Sequence, residues 1–232
     1  MRKIGIWIIS VLLFGLPAVS SATLVMSVDY GLDGQQVQSG YTGVSGALAA
    51  GTSINTVGGV QVALTGVGAS GFGFRDRSPD VTGPIGDLLE DFYFATSRIE
   101  LAFTGLAAGQ YEITAWHHDA GYIQSILKVQ VNGTDLLNGV AATTGSNGTS
   151  PAPSKSTVSF YSDGLGADNV FYIETQNTRQ NTDTAVILNG FTLSTVPEPA
   201  SLALVGLGLA GLGIPDLVRP TALGQRLDHG KQ

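Results

Sequence analysis

The chain has no cysteine among its 232 residues, so no disulfide bond stabilises its fold. The same absence excludes thiol catalysis and cysteine-ligated zinc. Charge is also scarce and mostly negative, because residues 23–195 contain 6 Lys and Arg against 15 Asp and Glu, a net charge of about −9. Nucleic acids and anionic lipids bind clusters of Lys and Arg. The composition therefore argues against both and permits divalent cations or neutral sugars as partners.

No apolar run reaches the roughly 20 residues that a membrane-spanning helix requires, although a shorter run lies near each end of the chain. At the start, Arg2 and Lys3 precede an apolar stretch over residues 4–16, and small residues including Ala22 follow. This order predicts a secretory signal peptide over residues 1–22, cleaved near Ala22. A retained membrane anchor is the alternative, and the short apolar core disfavours it.

Between the two ends, helical periodicity is scarce and period-two alternation is common. In SRIELAFTG, for example, Ile99, Leu101 and Phe103 share one face of a strand, and polar residues occupy the other. Eight segments have strand character: ATLVMSVDYG, GVQVALTG, SRIELAFTG, YEITAWHH, SILKVQV, KSTVSFYSD, NVFYIET and TAVILNGFTL. Short strands separated by glycine-rich turns predict an all-β fold, a single β-sandwich of the jelly-roll type over residues 23–195.

Three local features refine this prediction. The best helical candidate is residues 83–94, GPIGDLLEDFYF, which carries one short apolar stripe. The pair Asn132 and Gly133 predicts a type I′ hairpin, since both central residues of that turn need a positive φ. Residues 40–58 and 139–153 are long, polar and rich in turn-forming residues, so we predict that they form loops.

Near the other end, VPEPAS leads into the apolar run LALVGLGLAGLGI, residues 202–214. Together they resemble the PEP-CTERM sorting signal of Gram-negative bacteria, in which a Pro-Glu-Pro motif precedes a short transmembrane segment and a basic cluster. The resemblance implies processing by an exosortase and sorting to the outer surface or extracellular matrix, with Pro197, Glu198 and Pro199 as the sorting motif. The prolines keep Glu198 in extended, accessible backbone. The thirteen apolar residues span only about 20 Å as a helix, so we expect a transient membrane contact.

The tail over residues 215–232 departs from that pattern. The PEP-CTERM family has adjacent Arg or Lys residues here, which act as a stop signal. This chain has only isolated basic residues, Arg219, Arg226 and Lys231. A shifted reading frame near Ile214 and a degenerate signal both fit the sequence, and either would weaken membrane anchoring. A chance PEP sequence beside an ordinary core segment is the remaining alternative.

A second resemblance covers much of residues 23–195. The first strand, in VMSVDYGLDG, carries an Asp, and GLAAGQY from Gly105 to Tyr111 forms a turn-strand unit. Both features are similar to those of galactose-binding-like and malectin-like jelly rolls. The resemblance implies a carbohydrate-binding ancestry.

The segment YEITAWHHDAGY carries the candidate ligand-binding residues. Strict alternation places His117 on the apolar core face of the strand and Trp116 and His118 on the outer face. We predict that a ligand contacts Trp116, His118, Asp119 and Tyr122. An aromatic ring can stack on the C–H face of a sugar while neighbouring polar groups bind its hydroxyls. The alternative is that Trp116 packs beneath a loop.

Alternation also argues against zinc, because His117 and His118 point to opposite faces and no third histidine lies in residues 23–195. Calcium binds carboxylates and backbone carbonyls, so it is the cation that the sequence permits. The candidate carboxylate pairs are Asp29 with Asp33, Asp76 with Asp80, and Asp163 with Asp168. Solvated carboxylates in turns are the alternative explanation for all three pairs.

Support for catalysis is weak. The chain has no G-x-S-x-G, H-E-x-x-H or P-loop motif. Glu90 and Asp91 are adjacent, but a glycosidase pair is defined by its separation in space. The sequence therefore predicts an exported, noncatalytic protein that contacts exopolysaccharide. A structural matrix protein without a ligand pocket and a secreted polysaccharide-acting enzyme are the alternatives.

Overall fold

A computed structural model describes residues 21–45, 52–68, 71–77, 81–122, 124–144, 153–166, 169–177 and 185–197 of the chain. Within this part, Ser21–Pro197 forms one compact unit. Several predicted features lie outside the described residues: most of the signal peptide, Glu198 and Pro199 of the sorting motif, the apolar run 202–214 and the tail 215–232. None of the helices in the described part is long and apolar enough to cross a membrane.

The described residues are mostly strand. Their elements, in chain order, are β1 (Leu24–Tyr30), β2 (Thr42–Val44), β3 (Thr52–Val57), β4 (Val60–Val67), β5 (Phe72–Asp76), α1 (Gly86–Glu90), β6 (Asp91–Ala95), β7 (Arg98–Thr104), β8 (Gly109–His117), β9 (Ile126–Val131), β10 (Thr134–Ala141), β11 (Ser154–Ser162), β12 (Asn169–Asn177), β13 (Val186–Leu188) and β14 (Gly190–Thr195). All eight segments that the sequence predicted as strands contain one.

Hydrogen bonding arranges these strands in three sheets. A five-stranded sheet has the order β11-β8-β14-β1-β2, and a six-stranded sheet has the order β10-β9-β12-β7-β4-β3. A small third sheet has the order β13-β6-β5. The pairing of β1 with β2 is parallel and the other strand pairs are antiparallel.

The two larger sheets face each other across one hydrophobic core. Phe103 of β7 lies 5.5 Å from Phe191 of β14 and 6.4 Å from Phe160 of β11, measured between ring centroids. These contacts join the six-stranded sheet to the five-stranded one, as in a sandwich. The third sheet adds Phe74 and Tyr93 to the same core. The prediction of an all-β fold built as a single β-sandwich is therefore confirmed.

The predicted hairpin is present and has the expected backbone. Asn132 has a φ of 49° and Gly133 a φ of 78°, and they connect β9 to β10 with Val131 opposite Thr134. Asn132 also ties this turn to β12, because its side-chain oxygen accepts a hydrogen bond from the Val170 amide at 2.9 Å.

Three local predictions were wrong in part. The segment predicted as a helix over 83–94 forms only the short α1, because Asp91 and the residues after it pair with β5 and β13 as β6. Residues 40–58, predicted as a loop, contain all of β2 and β3, which pair with β1 and β4. The segment TAVILNGFTL is two strands in different sheets, separated at Asn189. In each case, pairing with other strands outweighed the local pattern.

Candidate functional site

The outer surface of the five-stranded sheet is the first candidate site. In β8, Tyr111, Ile113, Ala115 and His117 are buried in the core, as alternation predicted. Trp116 points outward and is half-buried. On the neighbouring strands, Lys155 of β11 and Gly190 of β14 are the register partners of Trp116. We call this surface the Trp116 face.

An aromatic pair and a row of hydroxyls characterise the Trp116 face. The Tyr41 ring meets the Trp116 ring edge-on, with centroids 6.1 Å apart and planes at 72°. The next register row holds three threonines, of which Thr114 and Thr157 share a hydrogen bond of 2.9 Å between their Oγ1 atoms, and Thr192 is the third. Burial, and then the nearby Asp29 carboxyl, raise the pKa of Tyr41.

Two other predicted ligand residues do not reach this surface. His118 and Asp119 are both fully buried, because the chain turns inward at the end of β8 and bridges to Thr143. The amide of His118 donates to Asn189 Oδ1 at 2.6 Å, and its Nδ1 lies 2.9 Å from Thr143 Oγ1. Contacts of both its backbone amide and its imidazole ring therefore fix His118 in place.

Asp119 forms a buried ion pair, with its Oδ1 at 3.0 Å from Arg77 Nε. Its Oδ2 accepts a hydrogen bond of 2.6 Å from Gln124 Nε2. The Arg77 guanidinium lies 5.0 Å from the ring centroid of Tyr122 and 5.5 Å from that of Phe92. The structure thus brings Asp119 and the exposed Tyr122 together through Arg77, and it places Trp116 separately, on the sheet face.

A small acidic cleft is the second candidate site. It has a volume of about 120 Å³, and Asp29, Asp91, Gly31, Gln35 and Ser45 are among its lining residues. The two carboxyl groups are each only 3% exposed. Asp29 Oδ2 accepts a hydrogen bond of 2.7 Å from the Gln38 amide. The Oδ1 atoms of both Asp29 and Asp91 are buried without a hydrogen-bond partner.

Burial disfavours the charged forms of these carboxyl groups. It raises the pKa of Asp29 to about 6, an effect that the Gln38 amide opposes. It raises the pKa of Asp91 to about 8, and the neighbouring carboxyls of Asp76 and Asp29 add to that rise. Such shifts are typical of buried acids that share a site with like charges.

The structure describes only some of the carboxylate pairs that the sequence offered as calcium ligands. Asp33 is exposed and accepts a hydrogen bond from the Ser45 hydroxyl, so the structure brings Asp29 to Asp91 instead of to Asp33. Asp80 and Asp168 lie outside the described residues. In the part of the chain that the structure describes, no three His, Asp or Glu side chains are grouped to hold a metal ion.

Sequence reasoning missed two residues and one pairing that shape these sites. Tyr41 lies in a predicted loop, and nothing local marks it as the neighbour of Trp116. Asn189 lies inside an apolar run of the sequence, and its polar side chain among apolar neighbours was the signal that could have marked it as a buried hydrogen-bonding residue. The pairing of Asp91 with Asp29 joins residues 62 positions apart in the sequence, which no local pattern indicates.

Comparisons with known proteins add the following. Residues 195–214 match the family model of the PEP-CTERM protein-sorting motif. Among solved structures, the ANX2 ectodomain from Arabidopsis thaliana is 14% identical, with a TM-score of 0.48, over 81% of this chain and 54% of that one. The ANXUR1 extracellular domain from Arabidopsis thaliana is 10% identical, with a TM-score of 0.48, over 77% and 49%.

A family 35 carbohydrate binding module from Clostridium thermocellum is 11% identical, with a TM-score of 0.30, over 62% of this chain and 87% of that one. This chain spans about half the length of the plant ectodomains. Comparison with curated protein sequences gives no match. The chain is thus a β-sandwich protein that carries a PEP-CTERM sorting motif. That motif indicates an exported protein and implies processing by an exosortase.

Proposed function

We propose that this protein is a noncatalytic carbohydrate-binding protein of the outer surface or extracellular matrix of a Gram-negative bacterium. In this proposal, extracellular polysaccharide lies along the Trp116 face, and the apolar run 202–214 makes a transient membrane contact before exosortase processing. The observation that carries the proposal is the half-buried Trp116 on the outer face of the sheet, where its ring meets the Tyr41 ring edge-on beside a row of threonines.

The rest of the Trp116 face suits an extended sugar chain. Tyr161 of β11 is 66% exposed and lies on the same face, six residues along the strand from Lys155, the register partner of Trp116. At the rise of a β-strand this separation is about 20 Å. Hydroxyl groups of Thr114, Thr157 and Thr192 lie between the two aromatic positions. Rings for stacking at both ends and hydroxyls between them match a polysaccharide, which needs both kinds of contact.

Both predicted sorting signals join the β-sandwich at the end of β8 that is remote from Trp116. The Thr195 amide donates a hydrogen bond of 2.8 Å to the Thr23 carbonyl, so the predicted signal-peptide junction and the start of the sorting motif are neighbours. Thr195 is opposite Tyr111 in β8, whereas Trp116 is opposite Gly190. The junction residues are therefore remote from Trp116 and lie near Tyr161, which is the register partner of Gln110 in β8.

An enzymatic role is the alternative that the acidic cleft raises, because two buried carboxyl groups line it. Its volume of about 120 Å³ is well below the roughly 300 to 1,000 Å³ of typical ligand pockets. A sugar ring with its neighbours would not fit beside both carboxyls. A purely structural matrix protein without a ligand is the other alternative, and the binding experiment below separates it from the proposal.

The decisive experiment measures glycan binding to residues 23–197, which correspond to the compact unit. A glycan array identifies the ligand, with calcium and with chelator, and calorimetry then gives affinities. Trp116 is the only tryptophan of this segment, since the other, Trp7, lies in the predicted signal peptide. Its fluorescence should therefore change directly on binding. We expect Trp116→Ala to lose roughly tenfold or more in affinity, as for a central aromatic contact.

Matched variants locate the surface. Tyr41→Ala and Tyr161→Ala should also weaken binding, whereas Tyr122→Ala, which removes an exposed tyrosine beside Arg77, should not. Absence of binding to any glycan would favour the structural matrix role. Equal losses in Trp116→Ala and Tyr122→Ala would show that the Trp116 face is not the binding surface. Release of reducing ends from a bound polysaccharide would support the enzyme instead.

A further inference from the structure

The acidic cleft contains two carboxylate oxygens whose bonding is incomplete. Asp29 and Asp91 are each 97% buried, and the Oδ1 atom of each has no hydrogen-bond partner. Both side chains line the same small cavity. Burying a charged or polar oxygen without a partner is costly, so native proteins usually supply a hydrogen bond, an ion or water.

Positive side chains of the described residues do not supply the missing interaction. The ion pairs seen there use Arg77 with Asp119, Arg98 with Glu100 and Glu174, and Lys128 with Asp135 and Glu174. Arg75 lies over the Phe94 ring, 4.4 Å from its centroid. A third carboxyl group lies beside Asp91 instead, because Asp76 is its register partner in the β5–β6 pair.

Gly31 lets two further oxygens of the cleft, Asp91 Oδ2 and Gln35 Oε1, approach the main chain. A Cβ atom at this position would lie 2.6 Å from Asp91 Oδ2 and 3.1 Å from Gln35 Oε1. The absence of a side chain therefore lets a carboxylate and an amide oxygen approach the main chain together. Gln35 Oε1 accepts a hydrogen bond of 2.7 Å from the Leu32 amide, and an amide oxygen retains a second lone pair.

We propose that this cleft binds one divalent cation of the calcium type, with Asp29 and Asp91 as its carboxylate ligands. The side-chain oxygen of Gln35 and water molecules complete the oxygen shell. Two carboxylates and neutral oxygens suit Ca²⁺, which accepts irregular sets of six to eight oxygen ligands, better than Mg²⁺, which requires a near-ideal octahedron. The volume of about 120 Å³ fits an ion with a few waters. This site is distinct from the Trp116 face and does not depend on polysaccharide binding.

A bound cation would also have a structural consequence. It would connect the segment after β1, which holds Gln35, to the first residue of β6. The cation would thereby link the five-stranded sheet to the three-stranded one at the cleft. A chain without disulfides gains stability in this way, because a ligand bound only by the folded state shifts the unfolding equilibrium.

The test uses calorimetry and thermal unfolding of chelator-treated residues 23–197. We expect one calcium ion to bind per chain, and we expect calcium to raise the midpoint of unfolding by several degrees, with a smaller effect of magnesium at equal concentration. Asp29→Asn and Asp91→Asn should each lower calcium affinity by roughly tenfold or more. Glu112→Gln, which alters an exposed carboxylate on β8 outside the cleft, is the matched control and should bind calcium as the wild type does.

Folding failure is distinguishable from loss of a ligand. Without calcium, the two Asn variants remove a buried acid and should be at least as stable as the wild type, so a circular dichroism melt in chelator verifies that they fold. The proposal is overturned if calcium up to about 10 mM produces neither heat nor a shift in the wild type. Calcium binding that persists in both variants, or that is lost equally in Glu112→Gln, would also overturn it.

Discussion

Replacing Asn189 with leucine is expected to destabilise the β-sandwich by about 4 kcal/mol. Asn189 is fully buried between β13 and β14, and its side chain satisfies backbone groups of three residues. Its Oδ1 accepts the His118 amide at 2.6 Å. Its Nδ2 donates to the carbonyls of Asp91 at 2.7 Å, His118 at 3.0 Å and Leu89 at 3.3 Å.

Leucine has a similar size but offers no polar atom, so these backbone groups would stay buried without partners. Each such group costs about 1–3 kcal/mol, which is the reason for the large expected effect. Urea unfolding monitored by Trp116 fluorescence provides the measurement. Asn138→Leu, at an exposed position on β10, is the control and should change stability by less than about 0.5 kcal/mol. Similar losses in both variants would show that Asn189 is not a structural junction.

Acidification is expected to reduce the stability that His117 contributes, by about 3 kcal/mol between pH 6.5 and pH 4. His117 is fully buried in the core face of β8. Its Nδ1 lies 3.0 Å from the Ile187 carbonyl and its Nε2 2.9 Å from Ser156 Oγ. A carbonyl oxygen can only accept, so Nδ1 carries the proton, and the neutral ring accepts from the serine hydroxyl at Nε2.

The sign of the effect follows from the direction of the shift. Burial lowers the pKa of His117 to about 4, and the hydrogen bond to Ile187 opposes that effect only in part. In the unfolded chain the imidazole has a pKa of 6.5. Below that pH the unfolded state therefore binds a proton that the folded state excludes. Stability is complete above pH 6.5 and falls as the pH is lowered toward 4.

The measurement compares the wild type with His117→Gln, because other groups also titrate in this range. The stability difference between the two proteins, from urea unfolding at pH 7, 6, 5 and 4, should shrink by about 3 kcal/mol at the acid end. Nuclear magnetic resonance of the imidazole should also show a neutral ring down to about pH 4. A difference that stays constant with pH would contradict the prediction.

Much of the architecture was determined by the sequence itself, because the signals involved are local. Alternation in β7, with Ile99, Leu101 and Phe103 buried, follows from the period of a strand. The hairpin at Asn132 follows from the conformations that Asn and Gly tolerate. The sorting motif is likewise a contiguous pattern, and the family model matches it over residues 195–214.

Tertiary structure decided the features that depend on distant partners. TAVILNGFTL looks like one strand, yet its halves join different sheets, because Asn189 reaches backbone groups of the segments around Asp91 and His118. Strand pairing likewise decided the structure of residues 91–94, DFYF. They form β6 between β5 and β13 and do not extend α1.

The candidate sites were predictable only in part for the same reason. Trp116 was identified from its strand position, which a period of two determines. Its neighbour Tyr41 comes from a loop 75 residues earlier, and Asp29 meets Asp91 only after β1 and β6 have joined their sheets. Local periodicity and turn chemistry determine which way a side chain points along its own strand. Which other side chains it meets depends on long-range strand pairing, and that is settled by packing of the whole core.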